Sequence, residues 1–137
     1  MTTLNPYLGF RDNAREALEF YQGVFGGELA TSTFGEFHAS EDPAEAEKIM
    51  HGQLSTPGGL VLMAADTPNA MDYAPGSAIS VSLSGSADDS DELTGYWEKL
   101  SDGASMTMPL GQAPWGDSFG MLVDRFGVSW LVNIAGS

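Results

Sequence analysis

The chain has 137 residues, enough for one domain with a substantial buried core. Its 19 acidic and 5 basic residues give a net charge of −14; so negative a surface repels phosphate backbones and anionic lipids, so neither nucleic acid nor a membrane is an expected partner. The absence of cysteine excludes disulfides, a thiol nucleophile and a thiolate metal site.

The first segment, "MTTLNPYLGF", lacks the basic stretch followed by an apolar run that is typical of a secretory leader. The longest apolar stretch, "LVLMAA", is too short to span a bilayer. We therefore expect a cytoplasmic protein. The part "LNPYLGF" predicts a short strand.

A helix is predicted from Asp12 to Phe25, because apolar residues recur there at helical spacing. Asn13 followed three residues later by Glu16 indicates a capping box, and Gly26-Gly27 indicates the helix end. Next, "GELATSTF" predicts a strand and "EFHASEDPAEAE" an acidic surface segment in which His38 is solvated. "KIMHGQLST" and "GLVLMAAD", separated by "PGG", predict a hairpin.

The same order of elements follows a loop that contains proline and glycine. "AISVSLSG" predicts a strand, and positions 91–100 predict a helix that is capped by Asp89 or Ser90 and ended by Gly103. Three further strands are predicted near "ASMTMPL", "SFGMLVD" and "VSWLVNIA". The chain thus reads as one α+β domain over 1–137, made of two βαβββ modules at about 1–66 and about 76–135. A curved mixed sheet shaped as a cup, with the helices outside, buries the apolar faces of such modules.

The stretch 115–130, "WGDSFGMLVDRFGVSW", is too aromatic for an ordinary surface loop and too rich in glycine for a helix. Within it "DRFG" predicts a tight turn between two strands, with Gly127 at positive φ and Arg125 in a salt bridge. Trp130 lies on an alternating strand and is expected in the core or in a dimer interface. Trp97, on the apolar face of the second helix, is expected in the core.

Three parts of the sequence carry a family resemblance: "NPYLGFRDNAREALEFYQGVFGGEL", then "IMHGQL" with "LVLMAAD", then "WGDSFGMLVDRFGVSW". Together they cover nearly the whole chain. They resemble the vicinal oxygen chelate superfamily, which includes glyoxalases, bleomycin-resistance proteins and extradiol dioxygenases, and within it the PhnB-like branch. The resemblance implies a homodimer, because these modules pair to complete their cavities. In metal-dependent members it also implies a His or Glu on each of four strands, which together hold a divalent ion.

Counting from the recognisable segments places these four ligand positions on unsuitable residues. They fall at Pro6, within Val61 to Met63, at Ser80 or Ser82, and at Leu131. Proline and leucine offer no donor atom, methionine offers a soft thioether, and serine is a poor ligand for a divalent ion. We therefore predict neither a metal nor another cofactor.

The same positions and their neighbours predict a ligand-binding cavity. The candidate ligand-binding residues are Tyr7, His51, Gln53, Met63, Ser80, Ser82, Trp115 and Asp117. Alternation places Ile49, His51 and Gln53 on one strand face, where His51 either binds a ligand, acts as a general base or hydrogen-bonds within the sheet. Trp115 either caps a ligand, with Asp117 accepting a hydrogen bond or a positive charge, or packs under its own loop.

Three functions are consistent with these residues. The favoured one is a metal-free protein that binds a small aromatic or cationic molecule, as the resembling drug-resistance proteins hold a cationic antibiotic. The alternative is a lyase, isomerase or dioxygenase with rearranged ligands such as His51, Glu28 or Glu36. A methyltransferase, as PhnB-like relatives are often labelled, is less favoured, because no glycine-rich turn of a Rossmann-type cofactor site is present. No catalytic residue is assigned.

Overall fold

The structure, a computed structural model, describes residues 2–76 and 78–136. The chain divides between Pro75 and Gly76 into two compact units, here named unit 1 and unit 2. Each unit has one four-stranded mixed sheet and one α-helix within the described residues. The prediction of two βαβββ modules is therefore confirmed.

Unit 1 begins with a strand that pairs far along the sequence. Its elements are β1 (Tyr7–Phe10), α1 (Ala14–Phe25), β2 (Glu28–Thr33), a 3-10 turn (Pro43–Glu45), β3 (Ile49–Ser55) and β4 (Val61–Asp66). The strand order is β1-β4-β3-β2, with β1 parallel to β4 and the other pairs antiparallel. The predicted hairpin between β3 and β4 is confirmed, and Gly59 turns it at a φ of 94°.

One face of the unit 1 sheet, named the near face, is covered by α1. The buried helix residues are Ala14, Ala17, Leu18, Tyr21 and Val24. A Cβ on Gly52 would lie 2.3 Å from the Cδ1 atom of Leu18, so the helix is in contact with the backbone of β3 at this point. The opposite face, named the far face, carries the partly exposed residues of the alternating strands β3 and β4.

The start of α1 differs from the predicted capping box. Asn13 makes no capping hydrogen bond through its side chain. Instead, the carboxylate of Asp66 accepts the backbone N–H of Ala14 at 3.0 Å and that of Ile49 at 3.0 Å. Asp66 is only 5% exposed, so one buried acid at the end of β4 holds the first residues of both α1 and β3.

The predicted shared face of Ile49 and His51 is also wrong. A bulge shifts the pairing so that Ser32 lies opposite His51 but Thr33 lies opposite Ile49. An extra residue in one strand breaks the alternation of side chains. Ile49 is consequently fully buried on the near face. Its Cγ2 atom would lie 3.5 Å from a Cβ placed on Gly52.

The acidic segment after β2 contains a buried carboxylate rather than surface residues alone. Glu45 is 3% exposed and accepts hydrogen bonds from the Ser40 hydroxyl at 2.7 Å and from the Asn69 backbone N–H at 2.8 Å. The hydrogen bond from Ser40, followed by that from Asn69, lowers the pKa of Glu45. Glu45 thereby joins this segment to the loop that follows β4.

Unit 2 repeats the architecture. Its elements are β5 (Val81–Gly85), a 3-10 turn (Ala87–Asp89), α2 (Ser90–Leu100), β6 (Ser105–Gln112), β7 (Ser118–Val123) and β8 (Ser129–Ile134). The strand order is β5-β8-β7-β6, with β5 parallel to β8. Asp89 occupies the N-cap position of α2, as one of the two predicted alternatives, but its carboxylate makes no hydrogen bond to the helix and accepts instead from the backbone N–H and hydroxyl of Ser86.

The stretch 115–130 closes the unit 2 sheet. Trp130 is 1% exposed and its indole N–H donates to Asp124 at 2.8 Å. The other oxygen of Asp124 accepts the backbone N–H groups of Phe126 and Val128, which fixes the turn between β7 and β8. The predicted positive φ of Gly127 and core position of Trp97 are confirmed, as is the salt bridge of Arg125, which is 2.7 Å from Asp102.

No helix in the described residues is both long and apolar enough to cross a bilayer.

Candidate functional site

Four of the eight candidate residues lie together on the far face of unit 1. The strand register places Met63 opposite Tyr7 on one side and opposite Gln53 on the other. Ala30 continues this row on β2. The next row contains Gly9 opposite Ala65, and His51 opposite Ser32. The two rows together are named the far-face patch.

A hydrogen bond spans the patch. The hydroxyl of Tyr7 on β1 lies 3.0 Å from Nδ1 of His51 on β3, and β4 runs between these strands. The two rings are tilted by 45° with centroids 5.5 Å apart. The paired residues in the next row on β1 and β4, Gly9 and Ala65, are both small. The sequence predicted both residues as candidates but not their contact.

Tyr7 is an exposed residue whose hydroxyl is still partly shielded. The side chain as a whole is 54% exposed, yet partial burial raises its pKa above the usual value of 10.0. The hydroxyl lies against the His51 ring, 3.0 Å from Nδ1. The phenol is therefore fully protonated at neutral pH.

Gln53 and Met63 complete the patch. The side-chain amide of Gln53 donates to the Ser55 hydroxyl at 3.2 Å. Met63 lies between Tyr7 and Gln53 in the register and presents a polarisable thioether. The patch thus combines two rings, an amide and a thioether, which is the mixture of apolar surface and few polar groups that small-molecule sites use.

The other four candidates belong to unit 2 and do not form one cluster. Ser80 precedes β5 and donates its hydroxyl hydrogen to Ser129 at 2.9 Å. Ser82 is exposed on β5 opposite Leu131. Trp115 and Asp117 lie in the turn between β6 and β7.

Trp115 is part of an aromatic and polar group at that turn. It is 63% exposed and meets Phe119 edge to face, with ring centroids 5.7 Å apart. Asp117 accepts from the backbone N–H of Gly136 at 2.9 Å and from the Asn133 amide at 3.1 Å. These two hydrogen bonds, in that order, lower its pKa, and a bond from Trp115 adds to them. Asp117 therefore holds the end of β8 to the turn.

Phe119 and Asn133 were not among the candidates. Alternation through "WGDSFGM" already places residues 117, 119 and 121 on one strand face, so Phe119 was detectable from the sequence. Asn133 was not, because its role depends on the pairing of β8 with β7.

The residues at the predicted metal positions do not fit a divalent ion. Met63 presents a thioether, Ser80 and Ser82 present hydroxyls, and Leu131 presents no donor. Over residues 2–76 and 78–136 there is no group of three or more His, Cys, Asp or Glu that could hold a metal ion. Glu28 and Glu36, named as rearranged ligands, therefore form no such group with His51.

Two βαβββ units with this strand order define the fold of the vicinal oxygen chelate superfamily, which also occurs in solved proteins described as glyoxalase/bleomycin resistance protein/dioxygenase. Residues 2–133 match the family described as 3-demethylubiquinone-9 3-methyltransferase, and the chain belongs to this PhnB-like family.

The chain is also similar to individual proteins. The crystal structure of protein PA1353 from Pseudomonas aeruginosa is 38% identical, with both chains covered fully and a TM-score of 0.84. Protein YjdN from Escherichia coli is 28% identical over 96% of this chain and 94% of its own. A PhnB protein from Bacillus cereus, described as a putative 3-demethylubiquinone-9 3-methyltransferase, is 24% identical and shares the fold, with coverage of 98% and 100% and a TM-score of 0.72.

Proposed function

We propose that this protein binds a small organic molecule on the far-face patch of unit 1 without the help of a metal ion. The hydrogen bond between Tyr7 and His51 carries the proposal. It fixes two polar rings on the sheet face that α1 does not cover, which is an arrangement the packing of the core does not require.

Binding is favoured over catalysis by what surrounds His51. A general base is normally oriented by a carboxylate or stands next to a nucleophile. The residues that share its two rows are Tyr7, Gly9, Ala30, Ser32, Gln53, Met63 and Ala65, and none carries a carboxylate. The ring nitrogen next to Tyr7 is also already in a hydrogen bond.

The family name suggests methyl transfer, and the fold argues for another activity. In the described residues, the mixed sheet of each unit contains a single parallel strand pair. A Rossmann-type cofactor site needs successive parallel strands and a glycine-rich turn. We therefore propose that this chain binds a ligand and does not transfer a methyl group, although the family is named for methyl transfer.

The test is a fragment screen read by NMR on labelled protein. Ligands of the patch should shift the resonances of Tyr7, His51 and Met63, and His51→Gln should weaken their binding. His38→Asn is the matched control, because His38 is exposed and its φ of 50° suits asparagine. Hits that shift only residues outside the patch, or that bind His51→Gln as well as the native chain, would refute the proposal.

We propose the remaining expectations, about ligand contacts in unit 2 and about partners, separately from the far-face patch. Ser80, Ser82, Trp115 and Asp117 are proposed contacts for an aromatic or cationic molecule, supported by the exposed indole of Trp115 beside a carboxylate. A cytoplasmic homodimer made of single-domain chains is proposed from the family resemblance. Sedimentation equilibrium at micromolar concentration tests the dimer, and a monodisperse monomer would overturn it.

A further inference from the structure

The polarity of the bond between Tyr7 and His51 follows from the chemistry of its two partners. A phenol O–H is a stronger donor than a neutral imidazole N–H, and an imidazole nitrogen is a much stronger acceptor than a phenol oxygen. The hydroxyl of Tyr7 therefore donates and Nδ1 of His51 accepts.

This polarity fixes the tautomer of His51. A neutral imidazole carries one proton, so when Nδ1 accepts, the proton is on Nε2. In the described part of the chain, the bond to Tyr7 is the hydrogen bond that His51 makes, and Nε2–H is left for a ligand or water. His51 thus presents a hydrogen-bond donor rather than a base.

Gln53 presents the complementary group. Its NH2 donates one hydrogen bond to Ser55, and its carbonyl oxygen has no hydrogen-bond partner among the described residues. His51 and Gln53 are two positions apart on β3 and share the far face, which separates their Cα atoms by about 6.6 Å. A ligand amide offers one acceptor and one donor, which complement these two groups through hydrogen bonds of about 2.9 Å.

The patch is also uncharged, although the chain has 19 acidic residues. Glu28, the acid nearest in the register, lies opposite Ser55 in the next row on the edge strand β2. A cation bound on the patch would meet the N–H of His51 and lack a carboxylate partner, and a strongly anionic group would gain no full positive charge. The patch therefore selects against both.

From this arrangement we infer that the far-face patch recognises an uncharged carboxamide-type group, with its carbonyl oxygen on Nε2–H of His51 and its N–H on the Gln53 carbonyl. This inference rests on the proposed function and names the ligand class for that site. For the far-face patch of unit 1, the expected ligand is therefore neutral, in place of the cationic molecule expected from the sequence.

The first test reads the tautomer with no ligand present. Long-range proton–nitrogen NMR spectra of imidazole-labelled protein distinguish an accepting nitrogen from a protonated one. We expect His51 to be protonated at Nε2, and Tyr7→Phe to move its Nδ1 resonance while leaving His38 unchanged. Protonation of His51 at Nδ1 would overturn the inference whatever the chain binds.

The second test compares two probes of the same shape. Benzamide carries a carbonyl and an amide N–H, and benzamidinium replaces the carbonyl with a second donor and a positive charge. We expect benzamide to bind the patch about tenfold more tightly, because the cation sets a donor against the N–H of His51. Gln53→Leu removes an acceptor that both probes can use, so it should weaken both and leave the preference for benzamide in place.

The outcomes separate the two proposals. Equal or tighter binding of benzamidinium on the patch would overturn the inference about ligand class and leave the binding function standing. Failure of both probes to shift any resonance of the patch would overturn the inference about ligand class, and the fragment screen then decides the binding function by itself. A preference for benzamide together with the Nε2–H tautomer supports both.

Discussion

The carboxylate of Asp66 accepts the backbone N–H of Ala14 at 3.0 Å, although the two residues are separated by 52 positions in the chain. Through its second oxygen it also accepts the N–H of Ile49. One buried side chain therefore supplies the hydrogen bonds that begin both the helix and the strand that it covers.

Replacement of Asp66 should be among the most damaging single changes in unit 1. Asp66→Ala leaves two buried N–H groups without acceptors, and we expect a loss of about 2–4 kcal/mol of unfolding free energy. Urea unfolding measures this loss. Glu19→Gln, at an exposed position of α1, is the control and should change little. An Asp66→Ala chain as stable as the control would show that water replaces the carboxylate.

Gly52 should tolerate no side chain. A Cβ there would lie 2.3 Å from Cδ1 of the fully buried Leu18, so Gly52→Ala must displace that side chain within the core, and we expect a loss of about 1–3 kcal/mol. Gly23→Ala is the opposite case: it lies in the interior of α1 with no atom within 4 Å, and should stabilise by about 0.5–1 kcal/mol. Melting temperatures that move in opposite directions are the expected result, and a stabilising Gly52→Ala would contradict the packing.

Replacement of the two tryptophans of the stretch 115–130 should affect stability very differently, because Trp130 is buried and Trp115 is exposed. Trp130→Ala removes a buried ring and its bond to Asp124, with an expected loss of about 3–5 kcal/mol. Trp115→Ala removes an exposed ring and should leave the melting temperature nearly unchanged. Calorimetry of both variants decides this, and a fall of several degrees for Trp115→Ala would assign that ring to packing.

Asp117 should make unit 2 sensitive to acid. Its hydrogen bonds from Gly136 and Asn133 lower its pKa below 3.8, the value expected when the chain is unfolded. A lowered folded-state pKa means that the stabilisation is present above about pH 4 and is lost as the pH falls through the folded value. In Asp117→Asn the fall in stability between pH 5 and pH 2 should therefore be smaller than in the native chain. The exposed Glu98→Gln should retain the native pH profile, and an equal flattening in that control would remove the assignment to Asp117.

The order of elements was accessible from the sequence because it depends on local patterns. Helical spacing gave α1 and α2, the "PGG" segment gave the β3–β4 turn, and Gly127 gave the turn before β8. Each of these signals lies within a few residues of the feature it predicts.

The contacts that build the candidate site depend on strand order instead. Tyr7 contacts His51 across β4, which lies between β1 and β3, and no spacing within the sequence specifies that order. Asn13 satisfied the local rule for a helix cap, but Asp66 takes that role from the other end of unit 1. The bulge at Ser32 and Thr33 likewise reversed the side of Ile49 by inserting one residue that alternation does not reveal.

The hydrogen bond between the buried carboxylate of Glu45 and the backbone N–H of Asn69 makes the opening of a loop measurable. Asn69 lies outside every helix and strand, yet its N–H is held by Glu45 at 2.8 Å. In heavy water this amide should exchange its hydrogen slowly for a loop position, and only when the acidic segment separates from the loop after β4. The rate of deuterium uptake at this one amide therefore reports how often the loop opens, and it can be measured on the native chain without a mutation.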